Sequence, residues 1–265
     1  MATVRPRHWG EVNRPDTGVT QVRVYVWELP VRVSHWLGVL CIAVLSFTGY
    51  YIHNPFIISR GNSAYLMGTM RFIHLVAGFV FIGVFILRIY WFFKGNHWSR
   101  WTAFIPIRRR QWRGMGQMVK YYSFLSANLQ HYVGHNALAG ITYTVIFVVM
   151  LLEILTGLAM YSQILGNHAF SVMMGWLPRL IDIQTLRLIH YFNMYLFFVF
   201  VIHHVYSAIL VSWEERNGLV ESIFTGYKFV PEDELEQDAA IARFDGLAPV
   251  GAPGTAEDAE RTSGM

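Results

Sequence analysis

The sequence predicts an all-α integral membrane protein, a four-helix bundle with its N and C termini on the cytoplasmic side. Three observations carry this expectation. Of 265 residues, 54% are apolar or aromatic and 14% are charged, whereas a soluble domain usually carries about a quarter charged residues. The apolar residues gather into four long runs, as a bilayer-spanning chain requires. Many of the nine Trp, fourteen Tyr and nineteen Phe stand near the ends of those runs, where an aromatic belt belongs.

Residues 1–32 read as a polar, charged N-terminal arm with no cleavable signal peptide. The spans follow at about 33–52, 71–93, 138–161 and 186–213. Each approaches or exceeds the roughly 20 residues that cross about 30 Å of hydrocarbon at about 1.5 Å per residue. Backbone polar groups in lipid must pair internally, so helices are the default. Residues 214–237 form a polar segment, and 238–265 an Ala-, Gly-, Pro- and acid-rich tail too poor in apolar side chains to fold.

Loop charge sets the orientation. The arm holds Arg5, Arg7, Arg14, Arg23 and Arg32 against Glu11, Asp16 and Glu28. The loop after the second span holds Lys94, Arg100, Arg108, Arg109, Arg110, Arg113 and Lys120 without an acid. Between the other spans stand only Arg60 and Arg179 as cations. The termini and the 94–137 loop are therefore expected in the cytoplasm. The Arg108–Arg110 cluster suits anionic lipid headgroups. A formal charge of +4 points to lipid-facing loops, not to a nucleic-acid surface.

One cysteine, Cys41, excludes an internal disulfide, an iron–sulfur cluster and the C-x-x-C-H attachment of a c-type haem. A metal cofactor must then rely on His, Met or Tyr. His35, His74, His190 and His204 lie inside spans near their ends. The expected orientation converts these positions into depths: His74 and His190 near the outer face, His35 and His204 near the inner one. His190 and His204 are fourteen residues apart, which on one helix returns to within about 40° of the same face after a rise of about 21 Å. His203 points away from that face. A single membrane histidine often only bonds a neighbouring helix, but four that pair by depth on three helices point to two bis-histidine b-type haems.

The fourteen-residue interval recurs. Gly49 follows His35 by fourteen and offers a position without a side chain at the outer level. Arg88 follows His74 by fourteen and brings a cation to the inner level, where haem propionates need one; Arg187 could serve the outer propionates. Met160 and Met194 read as membrane packing because histidines fill the axial positions, and His8, His53, His97 and His168 are unassigned.

The run Arg32-Val33-Ser34-His35-Trp36-Leu37, ending at Leu45-Ser46-Phe47-Thr48-Gly49, resembles the first-helix signature of the b-type cytochrome subunit of membrane-bound nickel–iron hydrogenases. Arg187-Leu188-Ile189-His190 and His203-His204 are similar to that family's fourth-helix motif. The approach Val24-Tyr25-Val26-Trp27-Glu28-Leu29-Pro30 and the exit Gly226-Tyr227-Lys228 also look familial, and the resemblance covers about residues 23–230. It implies haem ligands at His35, His74, His190 and His204, and partnership with hydrogenase small and large subunits on the outer face of a bacterial cytoplasmic membrane. Electrons would pass from the small subunit's iron–sulfur chain through two haem b groups to membrane quinone. No cysteine set for nickel and iron is present, so hydrogen would be split elsewhere. The long arm and the acidic tail lie outside the resemblance.

Two further features keep alternative readings. Glu153, deep in the third span toward its outer end, could relay protons, contact a partner's helix near the outer haem, or simply hold an interhelix hydrogen bond in protonated form. His131 and His135, one helical turn apart, could bind a quinone headgroup together with Asn128 and Gln130, or could be ordinary interfacial polar residues. Two competing functions also stand: the cytochrome subunit of a related quinone-linked complex such as formate dehydrogenase, and a haem-free structural anchor or transporter. The last predicts no Soret absorption and would favour Gly/Pro-broken helices.

Overall fold

The structure, a computed structural model, describes residues 11–13, 20–57, 65–105, 109–123, 125, 134, 137–165, 168–215, 217–231 and 235. The described residues are mostly helical: α1 (Leu29–His53), α2 (Leu66–Lys94), α3 (Arg109–Tyr122), α4 (Ala137–Leu165), α5 (His168–Met174), α6 (Leu177–Leu180), α7 (Ile183–Glu215) and α8 (Leu219–Thr225). Four of these, α1, α2, α4 and α7, are long and apolar enough to cross a membrane. Each extends beyond the apolar run that predicted it. Pro30 falls in the first turn of α1, where no intrahelical N–H is needed. The 33 residues of α7 rise about 50 Å, well past the hydrocarbon.

The all-α expectation needs one amendment. Strands β1 (Glu11–Asn13), β2 (Thr20–Tyr25) and β3 (Tyr227–Pro231) form an antiparallel sheet in the order β1-β2-β3. Val22 faces Val230 and Tyr25 faces Tyr227 in the β2–β3 register. Within β2 the run Gln21-Val22-Arg23-Val24 alternates polar and apolar residues, a short strand period outside the four apolar runs.

The chain divides into two compact units. One comprises the described residues of Met1–Arg32, Trp91–Ile141 and Ala208–Met265. Its core is Val26, Trp27, Val31, Trp98 and Val230. Several buried polar groups there pair with one another: Trp27 Nε1 donates to Ser222 Oγ (2.9 Å), and Glu28 Oε2 accepts from Trp91 Nε1 and from the Asn96 amide, both at 2.8 Å. Asn96 Nδ2 donates in turn to the Val26 carbonyl at 2.8 Å. The buried Lys228 ammonium lies 3.5 Å from Glu215 Oε2. Gly226 ends α8 at φ +89°, and its carbonyl accepts from the Val26 and Trp27 amides. A Cβ on Gly226 would stand 2.5 Å from Tyr25 Cε2 and 2.8 Å from the Trp27 carbonyl, so this turn needs glycine. In the same unit α3 is strongly amphipathic, with Met118 buried and Trp112 and Val119 exposed.

The second unit comprises Val33–Tyr90 and Thr142–Ser207. Ile146, Val149 and Phe197 form its small core, flanked by Ile42, Met150, Leu196 and Phe200. Its outward faces are apolar: Phe72 is 67% exposed and Ile202 72%. Such a surface is untenable in water and natural in hydrocarbon, where lipid tails cover it.

Candidate haem-binding site

All four span-end histidines fall in the second unit, and they meet in two couples. His74 on α2 and His190 on α7 have ring centres 6.2 Å apart with planes at 68°. His35 on α1 and His204 on α7 have centres 6.3 Å apart with planes at 56°. Imidazole nitrogens bind a first-row metal at about 2.0 Å, and about 1.1 Å more reaches each ring centre, so two axial imidazoles on one ion stand about 6.2–6.4 Å apart. Both couples match that span. Among the described residues no three His, Cys, Asp or Glu converge as a metal site. Two opposed imidazoles therefore suit an ion whose remaining ligands come from a macrocycle, and the residues fit a haem.

The first couple is held by the same device on two helices. Thr48 on α1 donates its hydroxyl proton to the Val44 carbonyl (2.7 Å), and its oxygen lies 2.8 Å from His74 Nδ1. On α4 Thr156 donates to the Leu152 carbonyl (2.8 Å), and its oxygen lies 3.0 Å from His190 Nδ1. A carbonyl can only accept, so each threonine has a lone pair left for the ring. Nδ1 then carries the proton and donates it, while Nε2 keeps the lone pair that a metal needs.

A glycine follows each threonine. A Cβ on Gly49 would lie 3.2 Å from His74 Cε1, and one on Gly157 3.2 Å from His190 Cε1. Both imidazoles thus approach a helix more closely than any side chain comfortably permits. Gly49 therefore stands against the His74 ring itself. Glu153 is also brought here: its Oε1 lies 3.3 Å from His190 Nε2. That contact is at the ring nitrogen that would bind iron. The buried side-chain amide of Asn193 is the neighbour of this carboxyl.

The second couple is held differently. Tyr143 on α4 places its hydroxyl 3.3 Å from His204 Nδ1, and Phe200 stacks on the His204 ring with centres 5.4 Å apart at 11°. Trp36 packs edge-on against His35. Among the described residues His35 Nδ1, which is buried, has no hydrogen-bond partner. His203 is exposed beside half-buried His204, with its ring near Ser207, and belongs to neither couple.

The other expected residues separate from this picture to different degrees. Arg88 is half-buried on α2. Arg187 is exposed on α7 and donates to Gln184 Oε1 at 2.9 Å. Asn128, Gln130, His131, His135 and Arg108 lie outside the described residues. Thr48, Thr156, Gly157 and Tyr143 are site residues that sequence reasoning missed. A signal was present: the Thr-Gly dipeptide occurs at Thr48-Gly49 and again at Thr156-Gly157.

The chain matches the family described as prokaryotic cytochrome b561 over residues 26–226. It is similar to the "Probable Ni/Fe-hydrogenase B-type cytochrome subunit" of Cupriavidus necator, at 38% identity over 210 residues, which cover 77% of this chain and 86% of that one. The protein of the same description from Azotobacter vinelandii is 35% identical over 219 residues, covering 80% and 91%. The "Probable Ni/Fe-hydrogenase 1 B-type cytochrome subunit" of Escherichia coli K12 is 34% identical over 212 residues, covering 77% and 90%. With four apolar helices and a match across most of its length, the chain belongs to the prokaryotic cytochrome b561 family, multi-pass b-type haem proteins of the bacterial cytoplasmic membrane.

Proposed function

We propose that the chain is the dihaem membrane anchor of a nickel–iron hydrogenase, taking electrons from the small subunit's iron–sulfur chain and passing them to membrane quinone. The observation that carries this reading is the pair of imidazole couples with ring centres 6.2 and 6.3 Å apart. The names borne by the relatives support the hydrogenase partnership. Haem bound between each couple would supply the one-electron redox chemistry that side chains lack.

The chain's own residues have defined tasks in this proposal. His74 and His190 are the axial ligands of an outer haem, and His35 and His204 those of an inner one. Their fourteen-residue separation on α7 spaces the two levels by about 21 Å. Arg88 and Arg187 are the cations offered to propionates, and Gly49 admits the ring of His74. Asn128, His131 and His135 are the proposed quinone contacts on the cytoplasmic side. The excess of cations in the arm and in the 94–137 loop supports cytoplasmic termini. The basic, amphipathic α3 supports contact with anionic lipid headgroups. No hydrogen-splitting site is assigned to this chain.

The test is the visible spectrum of the purified full chain with a quantified haem content. Two low-spin haems per chain are expected, falling to one when His74 or His35 is replaced by alanine. A folded, cofactor-replete preparation without Soret absorption would overturn the reading.

A further inference from the structure

The two histidine couples are not anchored alike. At the first, both rings donate Nδ1–H to threonine oxygens at 2.8 and 3.0 Å. Both threonines have committed their own proton to a carbonyl one turn back, at 2.7 and 2.8 Å. At the second, among the described residues His204 Nδ1 has only the Tyr143 hydroxyl at 3.3 Å, beyond the usual range of a good hydrogen bond. His35 Nδ1 is buried with no hydrogen-bond partner among the described residues. One couple therefore has two short acceptors, the other a single long contact.

An imidazole that donates its distal N–H to a fixed acceptor is a more basic ligand, and a more basic ligand favours the more highly charged ferric ion. On the reading that each couple holds a haem, which this inference takes over from the proposed function, we infer that Thr48 and Thr156 are positioning residues that make the His74–His190 haem the lower-potential of the two. The ordering then follows from hydrogen bonding inside the bundle. An electron arriving at the threonine-anchored couple moves to the other couple downhill. Nothing in the chain has to change shape for this. Glu153 does not supply the effect, because its carboxyl meets His190 at Nε2, the iron-facing atom, and not at Nδ1.

The experiment is a redox titration of the haem-loaded full chain, followed in the visible spectrum and by electron paramagnetic resonance. Wild type should show two midpoints, and the lower component should vanish in His74→Ala. Thr48→Val and Thr156→Val keep side-chain shape but remove the acceptor. Together they should shift the ferric–ferrous equilibrium of the lower component about tenfold toward ferrous, about 59 mV upward for one electron, leaving the upper component in place. Thr48→Ser and Thr156→Ser retain the hydroxyl and should restore the wild-type midpoint.

If the valine variants shed that haem, a wild-type midpoint in the serine variants supports the inference, and haem loss in the serine variants overturns it in favour of methyl packing. Unchanged midpoints in the valine variants overturn it, as does loss of the upper component in His74→Ala. A wild-type chain without two bis-histidine haems would instead defeat the haem reading itself, before the threonines are tested.

Discussion

Replacing Gly49 with alanine is a sharp test of the site because the structure fixes where the new methyl goes. Its Cβ would stand 3.2 Å from His74 Cε1, against an optimum of about 3.5–4.0 Å for carbon pairs. The ring must retreat by about 0.3–0.8 Å to recover that distance. Its Nδ1 bond to Thr48, now 2.8 Å, would then stretch toward or beyond the limit of a useful hydrogen bond. Overpacking of this kind costs about 1–3 kcal/mol, which corresponds to about a 5- to 150-fold loss of haem affinity at the His74–His190 couple. Gly157→Ala should act equally, since its Cβ meets His190 Cε1 at the same 3.2 Å. Gly78→Ala is the control on α2, because nothing lies within 4 Å of its added Cβ. The assay is haem release to a competing apo-globin, with the low-spin resonance of each haem recorded in parallel. Full retention and an unchanged resonance in Gly49→Ala, equal to Gly78→Ala, would refute the close-approach argument.

Other expectations concern the remaining parts of the molecule. Glu28→Ala should leave the Trp91 indole and the Asn96 amide without their acceptor; with about 1.5–3 kcal/mol for each bond to a charged partner, the loss should appear as early proteolysis of the N-terminal strand. Gly226→Ala should destabilise the same unit by about 1–3 kcal/mol from the positive φ alone, and more from the 2.5 Å approach to Tyr25; detergent-based thermal melts would read it. Asp182 caps α7 by accepting from the Thr185 hydroxyl and the Thr185 and Gln184 amides, and the Thr185 hydroxyl is the main influence holding its carboxyl below the usual range. A depressed folded value means the cap is fully present above the unfolded pKa of about 3.9 and is lost as pH falls through the folded one; amide protection factors at the start of α7, taken against the intrinsic exchange rate at each pH, should fall at acid pH in wild type and be low at all pH in Asp182→Ala. Glu153→Ala should keep both haems bound, since the carboxyl contacts His190 without being an axial ligand; a fall to one haem per chain would contradict that assignment.

The four spans were legible because lipid makes one demand, a long apolar helix, and composition answers it directly. Their ends were less legible, since a helix continues into the interface on residues that carry no apolar signal, as at Leu29-Pro30. The sheet was missed for a related reason: β2 is a six-residue strand with four alternating positions beside runs several times longer, and its partner β3 lies some two hundred positions away. The histidines were legible because an imidazole at membrane depth is costly and four of them share two levels. Their threonine and glycine neighbours were not. A threonine in a membrane helix usually satisfies its own i−4 carbonyl, as Thr48 and Thr156 do; only coordinates reveal that the other lone pair is aimed at a ring on another helix. The quinone expectation rests on His131, His135 and Asn128, which lie outside the described residues.

The two couples differ in a way that a sequence offset explains. Shifting α1 by 108 carries Thr48-Gly49 onto Thr156-Gly157 (156 − 48 = 108). Shifting α2 by 116 carries His74 onto His190 (190 − 74 = 116). The contacts repeat along with the residues: each threonine binds the histidine of the helix that follows its own in this pairing. The same offsets carry His35 onto Tyr143 and Arg88 onto His204. The first couple therefore draws its rings from equivalent positions and receives equivalent anchors. The second draws them from positions that the repeat does not equate. Its pseudo-equivalents are Tyr143 and Arg88, and Tyr143 is the residue found against His204. Two similar helix pairs thus yield one symmetric site and one asymmetric site. Because a difference in anchoring is a difference in ligand strength, a repeat that does not extend to both couples would make the potentials of haems held there unequal without any further device.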